Sequence, residues 1–575
     1  MPPKSKGTGG VSALQATLDK LQQDQSRHEQ LVGSLSQKMA ARRSLAVNLV
    51  QAHKKMGFHE SGYVFMKTLG SGRHGTIKLA KKKSNAHVKH TKAAVQSSIS
   101  TDVVSDFVAV RIVNRSEVGR KGRETLSAME SHATLVRHSQ ALRDLDHPSI
   151  QREIETFEDP QHIYMVLELY TGGDLLEREQ EPISEDRAAW IINQVCSAVL
   201  HAHGKGIVHQ DIRPDNVHYA STSKDARCVL TDWSCCEYIN ISPKESRKHL
   251  IMGEYSAPEL EAAHRTDRSD MWSIGVMTFA LLTLALPFGE HSPRPEVGDL
   301  VWHESDPKVS DSCKDFLMKL LKVDPTTRMP ATEALSHPWL THAREVYRGD
   351  RKQQLDTSAA SSLLRFKDSS VLHRTAAALV ADHISGEKLY ELTQQFYLLD
   401  KSGDGYIEKA DMIEALRNTL ASERARGHLS EQEEGLTEEI EKLVNDKSKV
   451  TALVNLMDMD GDGKIAFSEF LAAAGEVCIS DCTALAWEAF RAFDRHGTGS
   501  VCKQDLKDML SSPIMDELMN TKAASGKDAK SKRELEEAFK EVGGVPMSID
   551  EIINKADEDG NQRISFEEFL HIVMA

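Results

Sequence analysis

The sequence predicts a multidomain chain: a bilobal α+β body, then an all-α domain built as two paired lobes. Three observations carry that expectation. Between Tyr63 and Val113, β-prone runs alternate with Gly and polar turns, and the chain then reads as mostly helical to Trp339. A polar, Ser-rich stretch from Arg348 to Ser370 leads into an amphipathic segment, Val371–His383. Beyond it, four acidic loops beginning at Asp400, Asp458, Asp494 and Asp557 alternate with apolar helices. The boundaries fall at 1–56 for a basic arm, 57–340 for the bilobal body, 341–385 for a junction and 386–575 for the helical domain.

The chain has 575 residues, enough for three or four domains with cores of their own. With 40% hydrophobic and 27% charged residues it is globular rather than disordered. A net charge of -15 argues against general nucleic-acid binding, and carboxylate-rich cation sites would account for it. Eight Cys in a large chain without a secretory signal read as reduced thiols, which implies a cytoplasmic location. No apolar run approaches the roughly 18 residues that a membrane-spanning helix needs. Pro2 stands where myristoylation requires Gly, so no stable membrane anchor is expected. In the arm, Leu14, Leu18, Leu21, Leu31 and Leu35 are spaced as on a helix, and nine Lys/Arg face three Asp/Glu. That pattern predicts a solvated amphipathic helix packed on its own protein.

In the body, Leu69-Gly70-Ser71-Gly72-Arg73-His74-Gly75-Thr76-Ile77 comes after a predicted strand, and its three Gly let backbone N–H groups close over phosphates. Its weight comes from the ordered series of motifs downstream: Val108-Ala109-Val110-Arg111, His209-Gln210-Asp211-Ile212-Arg213-Pro214-Asp215-Asn216, Asp232-Trp233-Ser234, Ala257-Pro258-Glu259 and Asp270-Met271-Trp272-Ser273-Ile274-Gly275. Here the chain resembles the protein-kinase family, and Asp324 to Arg328 with His337-Pro338-Trp339 resembles the end of its helical lobe. The resemblance implies a bilobal fold that takes ATP and Mg²⁺. Gly70, Gly72, Gly75, Ile77, Ala109, Arg111, Glu168 and Asp174 would line the nucleotide site. Asp211 would be the catalytic base, Arg213 the cation in place of the loop Lys, and Asn216 and Asp232 the metal ligands. Glu259 and Arg328 would form the family's structural ion pair.

The resemblance fails on nucleotide clamping. The strand Lys is Arg111, and counting eight residues back from Asp146 places His138 where related kinases carry the partner Glu. A forked, bulkier Arg does not simply replace Lys at a phosphate clamp. His218 stands where an apolar residue would lie beneath adenine, Trp233-Ser234 replaces Phe-Gly, and Gln210 replaces the Arg that reads activation-loop phosphorylation. Lys78 on the neighbouring strand is one candidate to rescue the clamp.

The acidic loops carry their own chemistry. Calcium takes six to eight oxygens, which a 12-residue loop supplies from positions 1, 3, 5, 7 (a backbone carbonyl) and 12, with Gly at 6 for the turn. Asp458, Asp460, Asp462, Lys464 and Glu469 meet this pattern fully around Gly463. The first loop offers Asp400, Ser402, Asp404, Tyr406 and Asp411, the last ligand being shorter than Glu and hence weaker. The fourth offers Asp557, Asp559, Asn561, Arg563 and Glu568, with Gln562 where Gly is preferred. Both are expected to bind. The third, with His496, Thr498 and Asp505, is the one expected to stay empty. Four such loops in series identify an EF-hand domain with two paired lobes. Spacings place charged insertions at Asn418–Glu441 and Lys522–Val542 between the hands of each pair.

Leu355-Asp356 through Leu364-Arg365-Phe366-Lys367 to Ala376-Ala377-Ala378-Leu379 resembles the junction of calcium-dependent protein kinases. That resemblance implies a Ser/Thr kinase held off by its junction until calcium rearranges the EF hands. Three functions stay open: a calcium-gated scaffold with impaired or absent phosphotransfer, an active kinase with atypical ATP contacts, and a calcium buffer. The first is the reading adopted, with calcium and a protein substrate or scaffold partner as its partners.

Overall fold

Five antiparallel strands form over Tyr63–Gly72 (β2), Gly75–Lys82 (β3), Phe107–Asn114 (β4), Glu153–Glu158 (β5) and His162–Leu167 (β6), with aromatic and β-branched residues most concentrated in β4, at Phe107, Val108, Val110, Ile112 and Val113. The sheet order is β1-β5-β6-β4-β3-β2, the two residues Lys54–Lys55 (β1) adding in parallel to β5. The computed structural model describes residues 54–55, 62–72, 75–82, 107–114, 138–239, 253–262, 265–288, 308–348, 355–369, 371–426, 431–459, 462–475, 483–494, 498–510 and 549–574. The arm apart from Lys54 and Lys55, the insertion Lys522–Val542, Asp460 and His496 lie outside them. β5 and β6 correct the expectation that the chain turns helical after Val113. Each is six residues long, and the short connection at Asp159-Pro160 hides their alternation.

Alternation along the strands splits the sheet into two faces. Tyr63, Ala80, Val108, Val110, Phe157, Tyr164 and Val166 pack on the outer face. Ala109, Ile163, Met165 and Leu167 join the core of the helical lobe on the other. That lobe is built around helix Glu185–Gly204, which Ser184 caps by accepting from the Arg187 N–H, and helix Asp267–Thr283. Among the described residues no helix is long and apolar enough to cross a membrane.

The hands pair as the loop pattern predicts, through short antiparallel contacts Ile407↔Ile465 and Val501↔Ile564 at position 8 of facing loops. The first insertion is helical, in Lys409–Arg426 and Glu431–Val444. The junction forms helices Thr357–Asp368 and Val371–Val380, and Leu363, Phe366, Ala376 and Val380 share one core with Phe396, Phe467, Phe470 and Phe493 of the hands. The apolar faces of the junction are thus buried by the EF hands.

Candidate functional site

The glycine-rich segment is a hairpin. Gly70 pairs with Ile77, Ser71 with Thr76 and Gly72 with Gly75, and Ile77 in turn faces Arg111 on β4. Paired residues share a sheet face, so the Arg111 side chain lies on the cleft side beneath the hairpin. It is buried, and its Nη1 donates to Asp232 Oδ1 at 2.8 Å, an ion pair that joins the two lobes. Ala109, two residues earlier on the same face, is also buried.

The same alternation removes Lys78 as a rescue. It faces Val110 on the outer side, where its ammonium sits 5.0 Å from the Phe65 ring. His138, fully buried, lies close enough to Asp232 to help hold that carboxyl down. Burial would raise the Asp232 pKa, and the Arg111 guanidinium, with help from the nearby His138, reverses it, leaving the group well below the usual carboxylate range.

The catalytic loop is ordered as its residues suggest. Asn216 Nδ2 donates to Asp211 O at 2.8 Å and Oδ2 at 3.1 Å. The buried Asp270 carboxylate accepts from the His209 and Gln210 backbone N–H groups at 2.9 and 2.8 Å and pairs with His203. Gln210 (φ 70) and Asp232 (φ 57) are held left-handed, a conformation that non-Gly residues adopt only when the surroundings impose it. Trp233 is buried against the His209 ring, and its Nε1 donates to Leu230 O at 3.1 Å. Arg213 turns to Asp215, Nε to Oδ1 2.5 Å.

Other residues of the expected nucleotide site have structural partners. Glu168 accepts from Arg227 and lies 3.5 Å from Arg152, and these cations outweigh its burial, so its pKa falls. The Asp174 carboxylate caps helix Leu175–Arg178 by accepting from Glu177 N at 2.7 Å. His218 Nδ1 is 3.1 Å from Thr231 Oγ1, and burial lowers its pKa toward a neutral ring.

Two residues would hold Mg²⁺ here, Asn216 through its amide oxygen and Asp232. The guanidinium already on Asp232 repels a second cation: at 4 Å, two unit charges interact by about 4 kcal/mol at an effective dielectric of 20. A divalent ion beside this pair therefore fits poorly while Arg111 stays in place.

In the EF loops, the donors Asp557, Asp559 and Glu568 lie within 4.8 Å of one another, a set suited to calcium. Asp557 accepts from the N–H groups of Gly560, Asn561 and Gln562, which shape the turn. Gln562 is left-handed (φ 61), which explains why Gly is preferred there. Gln562→Gly is expected to raise unfolding free energy by about 1 kcal/mol, read as a later midpoint in calcium-free urea unfolding. In the second loop Glu469 accepts from Met459 N and Ala466 N, and Asp458 from Gly463 N at 3.0 Å.

The first loop is arranged differently. Lys464 Nζ is 2.9 Å from Asp404 Oδ2, and Lys401 is 3.3 Å from Asp411. Two of the expected calcium ligands of this loop, Asp404 and Asp411, therefore have ammonium partners. Asp400 is buried, and burial with the adjacent Asp404 charge pushes its pKa up to about 6. In the third loop Asp494 Oδ2 accepts from Gly499 N, while Asp505 accepts from Cys502 N at 2.9 Å.

That first loop is seated on the kinase-like body. Gly405 lies against the His147 ring, and Tyr406 is 5.1 Å from His201 on helix Glu185–Gly204. Ser468 N and Oγ donate to Asp146 at 3.0 and 2.6 Å, Ser149 Oγ and Tyr397 OH are 2.7 Å apart, and Arg152 donates to Ile384 O at 3.0 Å. Lys82 on β3 pairs with Glu488 at 2.7 Å. These interface residues carry no motif. In Asp146-His147-Pro148 the signal in the sequence is the polarity of Asp146 and His147.

A bilobal fold with an ordered catalytic loop, joined to two pairs of calcium-type loops, defines a protein kinase body carrying EF hands. A protein kinase domain model matches residues 63–340, and an EF-hand domain pair model matches 389–475 and 486–574. Calcium-dependent protein kinase 21 of Arabidopsis thaliana is 28% identical over 431 residues, covering 73% of this chain and 70% of its own length. Calcium-dependent protein kinases 34 and 17 of the same plant are each 26% identical over 521 residues, covering 89% of this chain and 84% and 83% of theirs. In both its protein kinase domain and its EF-hand pairs, the chain is similar to these calcium-dependent protein kinases.

Proposed function

We propose that this chain is a calcium sensor whose EF hands act on a kinase-fold domain with impaired phosphotransfer, so that it regulates or scaffolds partners in calcium signalling. The observation that carries the reading is the seating of the first EF loop on Asp146–Arg152 and helix Glu185–Gly204. Calcium that displaces Lys464 and Lys401 reshapes a loop already in contact with the other domain.

Impairment is supported by Arg111. Phosphoryl transfer is largely positioning and charge neutralisation, and here the strand cation is committed to the metal-loop carboxylate rather than to a helix Glu. The second reading, an active Ser/Thr kinase, is favoured by the Asn216–Asp211 contacts and by the Asp270 anchor, which leave the catalytic loop intact.

Phosphate incorporation into a generic peptide by the full chain separates the two. The expected result is negligible transfer with or without calcium, while calcium still alters tryptophan fluorescence. Calcium-stimulated transfer that Asp211→Asn abolishes would establish the enzyme instead.

A further inference from the structure

The Arg111–Asp232 pair has a consequence for what the cleft binds. Resting on the reading of impaired transfer, we propose that it takes the triphosphate of ATP without Mg²⁺, with Arg111 as the counter-cation.

The placement comes from the strands. Ile77, which closes the glycine hairpin, pairs with Arg111, so the guanidinium lies between the hairpin and the catalytic loop. Lys78 belongs to the outer face, and Lys81, which shares the inner face, lies at the far end of the strands against the Phe107 ring, so Arg111 is the inward cation beside the hairpin. His138 replaces the acidic residue that would otherwise draw a strand cation toward the helix. Arg111 reaches across to Asp232 instead, at 2.8 Å.

The chemistry of the guanidinium does the rest. It carries five N–H donors in a planar fork, and the contact to Asp232 engages Nη1. Donors on the remaining edge suit phosphate oxygens, which Arg binds bidentately. In the hairpin above, Gly70, Gly72 and Gly75 carry no side chains that would keep a phosphate chain from approaching the backbone. One positive charge already satisfies Asp232, so a phosphate chain can enter without a metal to shield it. Adding Mg²⁺ puts a dication beside the guanidinium and weakens the complex.

Calorimetric titration of ATP into the full chain tests this, with EGTA throughout and Mg²⁺ either absent or at millimolar concentration. ATP is expected to bind at least as tightly without Mg²⁺. Arg111→Ala is expected to lose about tenfold or more in metal-free affinity, the worth of a charge-assisted hydrogen bond, while leaving adenosine affinity unchanged. Asp232→Asn, which keeps the fold's shape and releases Arg111, is expected to tighten metal-free binding. Circular dichroism checks that each variant is folded.

Binding only in the presence of Mg²⁺ overturns the proposal, and so does an unchanged metal-free affinity in a folded Arg111→Ala. No ATP binding in either condition overturns it too, yet leaves the calcium-sensor reading standing. Robust peptide phosphorylation is what defeats the impaired-transfer reading, and the two failures are therefore told apart.

Discussion

Gly405→Ala is expected to undock the first EF loop from the kinase body and to cost about 2–5 kcal/mol, the sum of two independent effects. Gly405 is left-handed (φ 84), where an L side chain is strained by roughly 1–2 kcal/mol. A Cβ built there also falls inside the His147 imidazole, which cannot yield because the ring is buried and its Nε2 is 2.8 Å from Ser197 Oγ. Overpacking of that kind costs roughly 1–3 kcal/mol.

Gly463, at the same position of the second loop, is the control. Its φ is 89, but nothing lies within 4 Å of a Cβ there. Gly463→Ala carries the strain alone. The extra loss in Gly405→Ala, measured by thermal unfolding, therefore reports the contact. Small-angle scattering should show a larger radius of gyration for Gly405→Ala only. Equal effects of the two variants would argue that loop strain, and no docking, is being measured.

Arg328→Met is expected to destabilise the helical lobe by about 3–5 kcal/mol, the cost of removing one partner of a buried pair. Arg328 Nη1 and Nη2 donate to Glu259 Oε1 and Oε2 at 2.7 and 2.9 Å, and Nε donates to Lys322 O at 2.9 Å. The arginine is fully buried and lies 5.1 Å from the Trp272 ring. Without it, Glu259 keeps only Ser269 Oγ at 2.9 Å among the described residues. The midpoint of the kinase-lobe transition should fall by roughly 10 °C, at about 2–4 °C per kcal/mol. Replacing both residues, as Glu259→Leu with Arg328→Met, should recover part of the loss because no lone buried charge remains. A double variant no better than Arg328→Met alone would mean that packing, rather than charge, sets the cost.

Motif-bearing parts of this molecule can be read from the chain because their residue types and spacing are the chemistry. The calcium loops, the Glu259–Arg328 pair and the Asp211–Asn216 loop are local patterns, or pairs whose identity the pattern names. β5 and β6 escape such reading because two six-residue strands joined at Asp159-Pro160 leave little periodicity to count. Nearness in sequence points Lys78 at the phosphates, and strand alternation sends it to the other face. The burial of the junction in the EF-hand core is tertiary. An amphipathic helix shows that it needs a partner and is silent on which.

The same limit applies to Arg111. Its departure from Lys is visible in the sequence, whereas its attachment to Asp232, 121 residues away, emerges only when the lobes meet. The docking of Gly405 and Tyr406 on His147 and His201 is likewise a matter of shape between domains.

Hydrogen exchange across residues 146–152 of the full chain, with calcium and with EGTA, tests most directly whether the two halves are coupled. Calcium is expected to change protection there as well as in the loops at Asp458 and Asp557, and Gly405→Ala should abolish the distant response while sparing the loops. Calcium that protects the loops yet leaves 146–152 unaltered would contradict the claim that ion capture is transmitted to the kinase body.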